Sequence, residues 1–278
     1  MTDYTDSAPI QVQSKQPRDW LALSAKTWFI VTAVGQWLFV AYILVYFGGK
    51  FLSGGIPAFG ETHLPNGFVP GDSFGNMALV IHILLAGLII AAGQIQLMPV
   101  VRSRIPRLHR WSGRFYLVAA SFVSIAGLYL GWSRERLIGS IQQDIGTSLG
   151  GVLVLIFMPI VLYYVRKRNF AAHRRWALRF FMAVSAVWFL RLIIFGWFLT
   201  TGGIGIDAKT FSGPFLTFAN FAQVLLPLAV LELFFRAERT KSQPYRRAVA
   251  SLIFVLTGMM AVGIFAVTAG FWLPAILA

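Results

Sequence analysis

Two stretches of the chain carry the same set of chemically capable side chains. Leu-His-Arg-Trp-Ser-Gly-Arg-Phe-Tyr at 108–116 is echoed by Ala-His-Arg-Arg-Trp-Ala-Leu-Arg-Phe-Phe at 172–181. Each has a His and an Arg ahead of a Trp, an Arg three residues past it, then two aromatics, and each opens a long apolar run. Neutral imidazole is a common metal and haem axial ligand, so His109 and His173 at matched depth on two helices would suit a haem b. The guanidiniums of Arg110, Arg114, Arg174 and Arg179 have the geometry to pair its propionates. The same residues would equally suit a quinone headgroup or an anionic lipid. They also suit plain anchoring, because Trp settles at headgroup level and Arg pairs with lipid phosphate.

A second set lies deeper. His82 is six residues into an apolar run, roughly 9 Å from its end at helical rise. Arg191 is about 15 residues into another, roughly 22 Å in. A central Arg costs about 2.5–3.5 kcal/mol on insertion scales, so such groups face protein, water or a ligand. His82 and Arg191 are expected to share one ligand-binding pocket in the outer half, with snorkelling of Arg191 or a bond to a helix carbonyl as the alternative. Glu232, the one acid inside an apolar run, is expected to pair with Arg236 four residues on, or across helices with Arg179 or His173. Gln94, Gln96, Asn220 and Gln223 are candidates for bonds between helices. His63, with Glu61 and Asp72, falls in a Gly- and Pro-rich connection that reads as a solvated loop. A metal site needs three or four ligands at fixed geometry, and none is assigned. Nothing resembles a Ser-His-Asp set or HExxH, and the glycines at 48–55 and 202–205 read as flexible turns rather than phosphate loops.

The elements that must position these groups follow from composition. The 278 residues are 57% hydrophobic and 12% charged, against about 25% charged in a soluble domain. Seven runs are long enough to span a bilayer at about 20 residues each: 27–47, 76–98, 114–132, 147–165, 176–199, 214–235 and 249–275. The expected fold is all-α, an integral membrane bundle of about seven transmembrane helices, with a polar tail at 1–26 and the bundle at 27–275. No loop is long enough for a separate soluble domain. Runs two–three and four–five read as a duplicated hairpin, each turning through a basic loop into a His-Arg-Trp element. The chain has 24 Lys and Arg; 19 of them fall in the tail and at 102–114, 166–179 and 236–247, while the alternate loops hold four. This bias orients the chain with the N-terminus cytoplasmic and the C-terminus outside. Net +14 is then explained by basic loops, not by nucleic acid. The absence of cysteine excludes disulfides, thiolate ligands and iron–sulfur clusters, and the polar first 26 residues do not read as a signal peptide.

With these elements in place, the chain resembles the bacterial multi-pass membrane proteins grouped as a domain of unknown function. The resemblance covers about residues 76–200. His82, His109, Arg110, Trp111, Gly113, Arg114 and Tyr116 fit the first half of its pattern, and His173, Arg174, Trp176, Arg179 and Arg191 the second. A Tyr usual after the second Arg is replaced here by Phe180 and Phe181. The resemblance implies a multi-pass protein, expected in the bacterial cytoplasmic (inner) membrane, and brings no activity with it. Three functions fit the residues. The protein holds a ligand or cofactor inside the membrane, with haem b or quinone as the redox-linked form. Alternatively it transports or binds an anion through His82 and Arg191, or it is an accessory subunit of a larger membrane complex. Membrane lipids and such subunits are the expected partners.

Overall fold

A computed structural model describes residues 19–277. The long helices are α1 (Trp20–Tyr42), α3 (Ser73–Leu97), α5 (Pro106–Ser133), α6 (Ile141–Arg166), α9 (Pro214–Arg239) and α10 (Gln243–Val267). Between and beyond them lie α2 (Gly48–Gly54), α4 (Pro99–Arg104), α7 (Phe170–Val184), α8 (Ala186–Thr201) and α11 (Leu273–Leu277). Wider π turns at Ile43–Phe47 and Thr268–Trp272 join α1 to α2 and α10 to α11. Six helices are long and apolar enough to cross a membrane, and the pair α7–α8, bent by 51°, passes the same test when taken together, which gives up to seven spans. The all-α, seven-helix expectation is met; the described residues contain no strand, only one isolated bridge between Asp207 and Ser212.

Polar residues at the ends of the apolar runs start the helices. The Asp19 carboxylate accepts from the N–H groups of Leu21 and Ala22 at 3.1 and 3.3 Å. Asp72 accepts from Gly75 at 2.8 Å and Asn169 from Ala172 at 3.0 Å. Each satisfies a first-turn donor that has no partner within the helix. Proline opens α4, α5 and α9, where its missing N–H costs nothing.

Several expected boundaries shift. Trp20–Lys26, read as tail, belong to α1, while residues 1–18 of that tail lie outside the described residues. Helices α5 and α7 begin at Pro106 and Phe170, so both His-Arg-Trp elements are inside helices rather than ahead of them. Interfacial Arg and Trp lower hydropathy without interrupting backbone hydrogen bonds, so the helix continues where the apolar run does not. The Gly48–Gly54 stretch, read as a turn, is helical and stops at Gly55, whose φ of 65° suits a residue without Cβ.

The spans alternate in direction, and ion pairs mark both ends. One end gathers the starts of α1, α5, α7 and α10. There Arg246 pairs with Asp19 at 3.1 Å, and Arg174 of α7 reaches Glu238 of α9 at 3.0 Å. The opposite, loop-bearing end joins Arg134, after α5, to Asp72, ahead of α3, at 3.0 Å, and Lys50 to Glu61 at 2.9 Å. The hairpins α3–α5 and α6–α7 both turn at the basic end and lie side by side through α5 and α6. Helices approach closely where glycine allows it: a Cβ on Gly93 would meet Tyr116 at 3.0 Å. Tyr116 stacks edge-on against Phe180 at 5.3 Å, tying α5 to α7 in the core. Val118, Phe122 and Ile125 point outward from α5, as a lipid-facing surface requires.

Candidate functional site

A cavity of about 400 Å³ opens inside the bundle on the side of the loop-bearing end. Its wall includes His82 of α3, Arg191 of α8, Tyr42 and Phe39 of α1, His63 from the connection after α2, and Phe271 of the second π turn. His82 and Arg191, expected to share a ligand-binding pocket, both line this cavity. The loop residue His63 joins them there.

Arg191 is the central group. Its Nη1 donates to the carbonyl of Val187, one turn back on α8, at 3.0 Å, and the guanidinium lies over the Phe39 ring at 4.9 Å. Among the described residues no carboxylate lies within ion-pair distance of it. It sits deep in the molecule yet is only half-buried by accessible surface, because it faces the cavity. The helix-carbonyl bond that was the alternative to a pocket is present together with the pocket. A guanidinium has five donors, so one bond to Val187 leaves capacity for an acceptor in the cavity.

The imidazoles are held differently. His82 Nδ1 lies 3.0 Å from the carbonyl of Val123 on α5. A carbonyl only accepts, so Nδ1 carries the proton and Nε2 of the neutral ring is an acceptor. Gly127 makes room for this ring, since a Cβ there would meet His82 Cε1 at 2.8 Å. His63 Nε2 shares a hydrogen bond with the Tyr42 hydroxyl at 2.9 Å. Its ring lies among Tyr46, Phe47 and Phe271, with centroids 5.2, 5.8 and 4.5 Å away. It is exposed on one side, so the solvated-loop expectation holds for its access to water and fails for its partners. Desolvation, and secondarily the nearby Arg191 charge, hold its imidazole below the ordinary 6.5, which leaves it neutral at pH 7.

Beneath the cavity runs a polar chain that the sequence pointed to only in part. Ser185, at the break between α7 and α8, lines the cavity and accepts from Gln36 Nε2 of α1 at 3.0 Å. Gln36 Oε1 accepts in turn from Gln94 of α3 at 2.5 Å. All three are buried. Gln96 bonds the carbonyl of His109 and the hydroxyl of Ser112, and the Thr147 hydroxyl donates to Asn220 at 2.6 Å, so the expected bonds between helices form. Gln36, Tyr42, Phe39 and Phe271 were missed. A single polar or aromatic residue in a long apolar run carries no signal of which face it occupies.

The basic end is organised by α9. Arg179 donates from Nε and Nη2 to the two carboxylate oxygens of Glu232 at 2.7 and 2.9 Å. Its guanidinium also lies 4.6 Å from the Trp176 ring and 5.2 Å from Phe235. Glu232 therefore pairs across helices with Arg179, not along its own helix with Arg236: the carboxylate meets a two-pronged donor there, the stronger geometry. Arg174 grips Glu238 in the same way at 3.1 and 3.0 Å. In the first element Arg114 lies over Trp111 at 5.0 Å, so the Trp–Arg spacing of three makes the same contact in both repeats. His173 Nδ1 is 3.3 Å from the Val161 carbonyl, and His109 Nδ1 is buried without a partner. Neither ring lines the cavity. Among the described residues no three His, Asp or Glu side chains gather as a metal site would require.

Fold and cavity together define a multi-pass α-helical membrane protein. Residues 79–212 match the family model described as predicted membrane protein (DUF2306), which bears out the resemblance read from the motifs. The matched stretch contains both hairpins except the first six residues of α3, with His82, both His-Arg-Trp elements and Arg191. No curated protein and no solved structure matches the chain.

Proposed function

We propose that the protein binds a small, largely apolar molecule with an anionic or carbonyl-oxygen head inside the membrane, in the cavity walled by Arg191, His82, His63 and Tyr42. The carrying observation is Arg191: a cation deep in an apolar bundle, without a carboxylate partner among the described residues, facing a cavity. A group that costs several kcal/mol to insert is balanced by an acceptor brought from outside the chain. About 400 Å³ falls within the range of small-molecule pockets, and the wall has their usual make-up: aromatic surface with a few convergent polar groups. An organic anion and a quinone both offer oxygens to guanidinium, imidazole and phenol, and the quinone is the redox-linked form of the reading. Haem b between His109 and His173 has no comparable support, because neither ring lines a cavity and two of the four arginines expected to pair its propionates, Arg174 and Arg179, are engaged by Glu238 and Glu232. The basic turns support a cytoplasmic location for that end, and with it a position for the cavity in the outer half of the cytoplasmic membrane.

The test is extraction and mass spectrometry of what co-purifies with the wild type and with Arg191→Ala, followed by titration of the identified compound. A charge-assisted bond contributes about 1.5–3 kcal/mol, so Arg191→Ala should weaken binding by about tenfold or more. A quinone would also give an oxidised-minus-reduced ultraviolet difference spectrum, and an anion would not. Equal ligand content and affinity in both proteins would refute the reading.

A further inference from the structure

A second cavity, of about 320 Å³, lies at the loop-bearing end. Its wall is made by Asn66, Arg134 and the turn after α5, including Glu135, Arg136, Leu137 and Ile138. Two residues, Gly131 of α5 and Asp144 of α6, line both this outer cavity and the deep one. The two spaces therefore adjoin across Gly131 and Asp144, at the end of α5 and the start of α6, the place where a neck between them would lie.

The chemistry of the neck is specific. Asp144 is held by Arg136, whose Nε donates to Oδ2 at 2.6 Å. Arg134, the other cation of the outer cavity, is occupied: it binds Asp72, the Asn76 side chain and the Asn66 carbonyl, and is nearly buried. Arg136 is instead exposed and holds a single carboxylate, so it is the cation able to change partners. Gly131 is exposed, and a Cβ built there meets nothing within 4 Å, so the neck is open on its α5 side. An anion arriving from water meets Arg136 beside the exposed carboxylate of Glu135, competes with Asp144 for the guanidinium, and then has Arg191 ahead of it.

The geometry points to an aqueous entry route for the cavity: a water-soluble organic anion passes from the outer cavity through the Gly131–Asp144 neck, exchanging Arg136 from Asp144, and comes to rest on Arg191. This rests on the ligand-binding reading and sharpens it, since it selects a water-borne anion over a lipid-borne ligand entering between helices. Asp144 is the brake of the route and Arg136 its first binding group. An opening toward the acyl chains between α5 and α6 is the competing route.

The chain has no cysteine, so an introduced thiol is unique. Ser124→Cys places a near-isosteric thiol on the wall of the deep cavity, and Leu137→Cys places one in the outer cavity. Both variants are reacted in lipid nanodiscs, which expose both faces to water. The reagents are anionic sulfonatoethyl methanethiosulfonate, cationic trimethylammonioethyl methanethiosulfonate and uncharged N-ethylmaleimide, with each rate normalised to a free thiol. In the Ser124→Cys variant the anionic reagent should react faster than the cationic one by about tenfold, the lower range of electrostatic steering. Adding Asp144→Asn, which releases Arg136, should raise the anionic rate. Adding Arg136→Gln, which leaves a bare carboxylate at the neck, should lower it. Gly131→Phe, whose Cβ has room, should block both charged reagents at the deep thiol and leave the Leu137→Cys thiol reactive.

Reaction of the deep thiol with N-ethylmaleimide alone would overturn the route in favour of entry from lipid. Reaction with no reagent would overturn it as well, and charged labelling unaffected by Gly131→Phe would remove the neck. Labelling needs no bound ligand, so these failures are distinct from a failure of Arg191→Ala to change binding.

Discussion

Arg179 and Arg191 are the same side chain in opposite situations, and the contrast separates a structural cation from a functional one. Arg179 is held by Glu232 and flanked by the rings of Trp176 and Phe235, and removing it takes away the partner of that carboxylate. Arg179→Ala should cost about 1–3 kcal/mol, read as a lower melting midpoint in detergent, and Glu232→Gln should relieve part of that loss in the double variant. Arg191→Ala removes an inserted cation that holds no acid, so its midpoint should stay level or rise while binding falls. A large loss of stability at Arg191 would mean that the side chain braces the fold. His63 gives a pH signature. Its folded-state affinity for protons lies below that of the unfolded chain, so stability is full above 6.5 and falls as the pH is taken below it. The carboxylates of Asp19, Asp72 and Asp207, held low chiefly by backbone N–H bonds, keep their contribution until well below pH 5. Melting midpoints from pH 7.5 to 5 should decline in the wild type and flatten in His63→Gln; identical slopes would dismiss the role of the imidazole. His82 and Arg191 were legible in the sequence because each is an anomaly in an apolar run. His63 was not, because a polar residue in a polar loop is no anomaly, and its value comes from Tyr42, which lies 21 positions earlier in the chain.

Hydropathy counts spans well and describes their shape poorly, for a physical reason. Burial in lipid rewards apolar composition over about 20 residues, but a helix begins where a cap begins it and bends where its neighbours bend it. The continuous run at 176–199 gave no sign of a 51° break, since no Pro or Gly stands near Ser185. The structure places there the hydroxyl that accepts from Gln36, so the break coincides with a polar tie between helices. Small residues at crossings are similarly ambiguous until the partner is seen. Gly263 of α10 faces α8 so closely that a Cβ would lie 2.6 Å from the Leu192 carbonyl oxygen, whereas a Cβ on Gly258 of the same helix meets nothing within 4 Å. Gly263→Ala must therefore push α8 and α10 apart beside Arg191, lowering both the melting midpoint and ligand affinity. Gly258→Ala should be neutral or slightly stabilising, because alanine favours the helix by about 1 kcal/mol over glycine. Equal behaviour of the two variants would mean that α8 and α10 part at Gly263 without cost.

At the scale of the whole molecule, the proposed orientation takes α7–α8 as one span, which would put the ends of the chain on opposite sides of the membrane and leave charge to decide which side is which. The basic end carries the turn of each hairpin and the ion pairs Arg174–Glu238, Arg179–Glu232 and Arg246–Asp19, so several of its cations are structural. Those of Arg102, Arg104, Arg107 and Arg110 are not held by carboxylates among the described residues, and they stand beside exposed Val100, Ile105, Leu108 and Trp111. That mixture of free cations and apolar surface fits the headgroup layer of an anionic leaflet. A reporter fused after Leu277 should then be active only when it requires export, and one inserted after Ser103 only when it requires the cytoplasm. Replacing Arg102, Arg104, Arg107 and Arg110 by glutamine should weaken this preference without changing the fold, since none of them holds a carboxylate that the substitution would strand. If instead the fusion after Leu277 reads as cytoplasmic, the bundle is inverted. The Arg136 neck would then open to the cell interior, and the water-borne anion it admits would come from metabolism rather than from outside.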